Sequence, residues 1–288
     1  MPGASSRRPA SLALFAGVGE RTPAAERRFF DRLRMPNGTW KTTYARRLDD
    51  LNAAILPFVA REGRARCNDV AISSGVSTVE WSDQLTAAGV EHELVAGDLC
   101  VGGWLASIGT AGAVVYDERD EPLLLELGPL SLPVQSSRSL ARLARPVLVP
   151  ALRALARAAR ARGAPAMAPA RARRLVHRPI PLVVPELAER PDITLVTDDL
   201  LAPATFPEPF DVVRAANILH RAYFDDATLA RMVANLRARL RDGGVLAICR
   251  THEDGRNDAT IFRRSGGELE PLATLGAGTE ILELVRAA

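Results

Sequence analysis

Apolar positions along this chain recur with two different periods, and the changes between them divide it into blocks. From residue 25 to 62 the period is helical, first in AAERRFFDRLR and then in YARRLDDLNAAILPFVAREG. In the second run Leu48, Leu51, Ile55 and Phe58 share a face, and Gly63 supplies a stop. The turn MPNGTWKTTY separates the two helices. CNDVAIS then reads as a buried strand that passes through Ser74 and Gly75 into a helix, STVEWSDQLTAAG, and HELVAGDL follows as a second strand ending on an acid. Strand, turn, helix and strand begin a doubly wound α/β sheet.

A second such block fills the last third. DITLVTDDL and FDVVRAANIL read as strands, DDATLARMVANLRARLRDGG as a helix closed by glycines, and VLAICRT as the next strand. Two further strands separated by a glycine turn suggest an antiparallel hairpin at the sheet edge. Between the blocks, GAVVYDERDEPLLLELG has the alternation of a β-hairpin turning at Asp117 to Glu121. Beyond it, Arg138 to Arg174 carries ten arginines and no acid. Pro146 and Pro150 are expected to break its first part, while Leu152, Leu155 and Ala159 line one face of a short basic amphipathic helix. The expected organisation is a mobile arm over 1–24, a helical lid over 25–64, an α/β core over 65–100 and 186–288, and an insertion over 101–185.

Composition changes this picture little. The 288 residues are 47% hydrophobic, enough for a sizeable core. Net charge is +3, and Lys41 is the only lysine, so the basic side chains reflect arginine-rich coding more than a nucleic-acid partner. Cys67, Cys100 and Cys249 are isolated, which suits a reducing cytoplasm and suggests neither disulfides nor a zinc site. The run LALFAGVG is short for the apolar core of a signal peptide, and no run reaches the length of a spanning helix.

The turn after the first strand, Asp69 to Gly75, reads D-x-A-x-S-x-G. It resembles the D-x-G-x-G-x-G loop of class I S-adenosylmethionine-dependent methyltransferases, and other features of that family follow in order. Asp98 ends the second strand, TDDLL supplies an acidic pair, FDVVRAANILHRAYFDD resembles the fourth-strand motif, and LRARLRDGGVLAI the helix, glycine turn and fifth strand. The resemblance covers about residues 65–100 and 190–288. It implies a Rossmann-like methyltransferase sheet with S-adenosylmethionine as cofactor, an antiparallel C-terminal hairpin, N-terminal helices and a large insertion after the second strand. It also assigns Asp69, Ala71, Ser73, Gly75, Asp98, Leu99, Asp198, Asp199 and Asn217 to the cofactor, with Thr43 and Tyr44 reaching over it. Arg214, Asn217, Tyr223 and Phe224 are in part similar to the chemotaxis receptor methyltransferases, which keeps a protein glutamate acceptor open.

The residues have their own physical reading. Asp98 can accept two hydrogen bonds from a ribose diol. Alanine and serine in place of glycine are a small obstruction at a turn, and Ser73 or Ser74 can donate to a carboxylate. His220, Tyr223 and His252 follow the fourth and fifth strands and are candidate acceptor-site groups, against plainer roles as caps or loop residues. Asp98 and the acidic pair also have plain readings, as a helix cap and a solvated loop end. The expected acceptor is a small or lipid-like molecule, with a catalytically silent binding domain as the rival from another class. The arginine-rich segment is a solvated helix cover, a surface for anionic membrane, or a nucleic-acid surface. The last ranks lowest because no aromatic residue offers stacking. Metal sites are not expected, and oligomeric state is open.

Overall fold

The computed structural model describes residues 8–18, 20–35, 38–59, 63–135, 141–161, 175–203 and 206–287. In chain order the strands are β1 (Ala65–Val70), β2 (His92–Asp98), β3 (Gly102–Ile108), β4 (Gly112–Asp117), β5 (Pro122–Leu127) and β6 (Leu130–Pro133). They continue as β7 (Leu175–Pro181), β8 (Ile193–Thr197), β9 (Phe210–Ala216), β10 (Leu240–Thr251), β11 (Asn257–Ser265) and β12 (Glu268–Leu275). The helices are α1 (Ala10–Phe15), α2 (Pro23–Phe30), α3 (Asp49–Ile55), α4 (Val76–Ala87), α5 (Ala141–Ala161), α6 (Pro185–Ala188), α7 (Asp226–Arg239) and α8 (Leu282–Ala287). They group into two units, residues 1–43 with 102–185 and residues 44–101 with 186–288.

The second unit contains a seven-stranded sheet in the order β12-β11-β10-β9-β1-β2-β8. β8, β2, β1, β9 and β10 are parallel, and β11 and β12 add an antiparallel edge. Strand residues alternate between faces. Val70, Val213 and Leu246 therefore join Leu229, Val233 and Leu236 of α7 in one core. Asp69 and Arg214 point to the other face, where α4 supplies Thr78 and Trp81. Helices on both faces of a parallel sheet make this the doubly wound, Rossmann-like arrangement that the sequence leads one to expect. The C-terminal antiparallel hairpin is also present, as β11 and β12.

The first unit is built on an antiparallel sheet in the order β6-β5-β4-β3-β7. Its hairpin turns where expected, because the Asp117 side chain accepts from the amides of Arg119 and Glu121. Val149, Leu152, Ala156 and Ala159 of α5 pack on Val114 and Tyr116 of one face. On the other, Glu126 accepts from the first amides of α1, Ala10 and Ser11, each at 3.0 Å.

Several local expectations are corrected. The described part of the supposed mobile arm includes α1, whose Ala10, Ser11, Leu12, Leu14 and Phe15 are buried. The 25–64 segment expected as one lid is divided, with α2 in the first unit and α3 in the second. Its second helix is only Asp49–Ile55, because Arg46 has φ of 62° and Pro57 lies in a single 3-10 turn, Leu56–Phe58, that ends it. Pro146 and Pro150 do not break α5; both lie on its exposed side, where a carbonyl that loses its helical donor can face solvent. The arginines beyond α5, from Arg162 to Arg174, lie outside the described residues. The stretch LRDGG belongs to β10, which takes a register shift between Leu240 and Val245 instead of prolonging α7.

Candidate active site at the carboxyl edge of the parallel sheet

Strand order reverses direction between β1 and β9. Loops at the carboxyl ends of the strands diverge there and leave a crevice, the usual ligand position in an open α/β sheet. The sequence-expected residues of the second unit, other than Tyr44, fall at or just beyond carboxyl ends of β1, β2, β8, β9 and β10.

The loop after β1 keeps a glycine backbone without the glycines. Ala71 has φ of 55°, Ser73 of 61° and Gly75 of 85°. The two substituted positions therefore adopt the left-handed conformation that L-residues disfavour. Asp98 holds this geometry from β2, its Oδ2 accepting from the Ser73 amide at 2.8 Å and its Oδ1 from the Cys100 amide at 3.1 Å. Gly75 is constrained twice, since a Cβ on it would collide with Leu187. Ser74 is buried, and its Oγ has no hydrogen-bond partner. Leu99, next to Asp98, is 48% exposed.

The other acids divide by partner. Asp69 is buried and forked by Arg214, with Nε to Oδ1 at 2.9 Å and Nη2 to Oδ2 at 2.6 Å, and it also accepts from Thr78 Oγ1. Arg214 is fully buried; it also reaches Asn52 Oδ1 and the Ser77 carbonyl, and its guanidinium lies over the Trp81 ring. Asp198 is forked by Arg239 at 2.6 and 2.8 Å, in space left by the missing side chain of Gly97. Both pairs tie up carboxylates assigned to the cofactor. Asp199 is exposed and accepts from the Leu201 amide, a loop-end turn.

Beyond β9, Asn217 sits at φ of 61° and latches β9 to β10, accepting from the Thr251 amide at 2.7 Å and donating to Thr251 Oγ1 at 3.1 Å. Its amide is committed to that latch. His220 is buried against Tyr223, ring centroids 4.0 Å apart, and its Nδ1 has no partner. Burial, followed by the charge of Arg250, holds its pKa below the usual histidine value. Tyr223 is 53% exposed. His252 Nε2 lies 2.7 Å from Oδ2 of Asp258, joining the turn after β10 to the start of β11. Thr43 falls in the first unit, and Tyr44 is exposed in the second.

Sequence reasoning singled out Arg214 only for its likeness to the chemotaxis enzymes and missed its pairing with Asp69, and it missed Arg239 and Arg47 as parts of this region. The first two had a readable signal: an arginine inside the apolar run FDVVRAAN, and one at the end of a helix otherwise spaced for burial, each needs an acid in a neighbouring strand.

No family model and no curated protein matches the chain in sequence. Among solved structures it is similar to S-adenosylmethionine-bound CalS10, an amino pentose methyltransferase from Micromonospora echinaspora. That match is 15% identical at a TM-score of 0.35, over 78% of this chain and 64% of that one. It is also similar to the N-methyltransferase NodS of Bradyrhizobium japonicum with S-adenosylhomocysteine, 10% identical at a TM-score of 0.33 over 85% and 75% of the two chains. A third likeness is to the CMeT domain of the citrinin polyketide synthase, at 14% identity and a TM-score of 0.37 over 85% and 42%. These likenesses are too distant to assign an activity, which rests on the residues.

Proposed function

We propose that the second unit binds S-adenosylmethionine at the carboxyl edge of its parallel sheet and transfers the methyl group to a small-molecule or lipid-like acceptor. The observation that carries this reading is Asp98, a half-buried carboxylate at the end of β2, held by two backbone amides beside a loop with glycine-type geometry at the switch point. A carboxylate in this position is an acceptor of the kind that takes two hydrogen bonds from a ribose diol. Leu99 offers an apolar edge to the adenine, Asp199 is exposed to its amino group whereas Asp198 is buried against Arg239, and the Ser74 hydroxyl lacks a partner that a ligand would supply.

The bound cofactor would supply a sulfonium methyl group that needs no further activation. The chain's part is to hold the acceptor in line and to accept its proton where one is lost. His220 is suited to that proton because burial keeps it neutral, and the exposed Tyr223 ring beside it is a wall for the acceptor. His252 is already bound to Asp258 and is the weaker candidate. The three free, buried cysteines fit a reducing compartment. No described helix is long and apolar enough to cross a membrane. The apolar face of α5 is occupied by its own sheet, and Arg153 and Arg160 pair with Glu121 and Asp120, which favours the helix-cover reading.

Calorimetry with S-adenosylhomocysteine tests the proposal. The wild type should bind, and Asp98→Asn should weaken binding about 10- to 100-fold, the worth of a charge-assisted hydrogen bond of about 1.5–3 kcal/mol. A wild type that binds neither S-adenosylmethionine nor S-adenosylhomocysteine at millimolar concentration refutes it. A second reading, a catalytically silent binding domain, is favoured by the Asp69–Arg214 and Asp198–Arg239 pairs, which withdraw two acids from the cofactor. Binding without S-adenosylhomocysteine production, across a broad small-molecule extract, would select it.

A further inference from the structure

Three groups near the end of β1 lack the partners that the rest of the unit supplies. Arg47 is half-buried with its Nε sealed from solvent, and its guanidinium makes no hydrogen bond or ion pair among the described residues. The Ser74 hydroxyl is buried and unpartnered. The N-terminus of α4, twelve residues long, has Gly75 as its N-cap, receives no side-chain cap and has no acid in its first turn. A helix start without these features favours an anion.

The backbone around Arg47 is fixed. Its carbonyl accepts from Asn257 Nδ2 at 2.7 Å at the start of β11, and the Arg46 amide donates to Glu80 Oε1 of α4 at 2.7 Å. The ionisable groups that act on the Arg47 charge are Cys249, Arg214, Tyr44 and Asp69, while burial lowers its pKa. Asp69 is the least of these influences on it and is itself forked by Arg214. Asp50 is bonded to Asn257, and Asp49 to Arg46 and Gln84. The arginine is thus kept partly dehydrated with neighbouring acids already engaged, an arrangement that suits an incoming carboxylate.

We propose that Arg47 is the carboxylate-binding residue of this site, taking the α-carboxylate of the amino-acid end of the cofactor together with the Ser74 hydroxyl and the start of α4. The proposal rests on the cofactor reading above and adds the residue that recognises its charged end. It separates two halves of one ligand: Asp98 serves the ribose, and Arg47 serves the amino acid.

The test compares S-adenosylhomocysteine with 5′-methylthioadenosine, which keeps the adenine and ribose but lacks the amino acid. Calorimetry on the full chain should show wild type binding the first more tightly. Arg47→Gln should weaken S-adenosylhomocysteine about 10- to 100-fold and leave 5′-methylthioadenosine unchanged. Arg47→Lys, which retains charge without the fork, should fall between and guards against a folding defect in the glutamine variant. Asp98→Asn should weaken both ligands alike. If Arg47→Gln and Arg47→Lys weaken both ligands equally, or neither, Arg47 is not the carboxylate residue while the cofactor reading stands. If the wild type binds neither nucleoside, both fall.

Discussion

The loop after β1 carries a stability cost that glycine would remove. Ala71 and Ser73 lie at φ of 55° and 61°, two residues apart. The left-handed conformation costs an L-residue about 1–2 kcal/mol, and glycine relieves it while adding about 0.5–1 kcal/mol of chain entropy to the unfolded state. Ala71→Gly and Ser73→Gly should each stabilise by about 0.5–1 kcal/mol. A double variant should gain about 1–2 kcal/mol, less if the neighbours share one strain. For a unit of this size each kcal/mol is worth roughly 2–4 °C in Tm, so scanning calorimetry resolves the effect. The Asp98 bond goes to the Ser73 amide and survives both substitutions. Ala71→Val, which puts a branched side chain at the same φ, should lower Tm. Single glycine variants that melt at or below wild type would refute the argument and show that these side chains contribute more than their backbone costs.

Two further outcomes follow from buried charge. Arg214→Met leaves Asp69 buried with the Thr78 hydroxyl but without its countercharge, and urea unfolding should show a loss of about 3–5 kcal/mol, while Asp69→Leu combined with Arg214→Met recovers much of it; equal losses in the single and double variants would contradict this. His220 stays neutral when folded but takes a proton when unfolded, so stability is whole above about pH 6.5 and declines as pH falls below it. His220→Asn should therefore show a smaller drop in Tm between about pH 7 and about pH 5, and an unchanged drop would mean that burial does not hold the ring neutral.

The parallel sheet was legible because its strands are short apolar runs separated by turns with clear glycine or acid signals, as from Cys67 to Asp98. The placement of Asp98, Asp198, Asn217 and His220 near strand ends followed from that reading alone. What was hidden depends on register and distance. Asp69 opposes Arg214 only because β1 and β9 pair with that offset, though 145 residues of sequence separate them. The glycine-loop likeness marked Ala71 and Ser73 as substituted positions, but the bond from Asp98 that holds the Ser73 amide comes from another strand and has no local signal. The N-terminal helices were misplaced for the same reason: α1 is fixed by Glu126, a contact no periodicity reports.

That Glu126 contact sets an order of events during synthesis. The amide of Ala10 waits for an acceptor 116 residues downstream, about 6–23 s at ordinary translation rates of about 5–20 residues per second. Throughout that interval the apolar face of α1 has no sheet to lie on. The parallel sheet waits longer, since β1 and β2 leave the ribosome before the antiparallel sheet β3–β7 but gain β9 only after it. The first unit can therefore close while the second is still half made, and a nascent chain halted after β7 should already protect α1 from protease while β1 and β2 remain open to it.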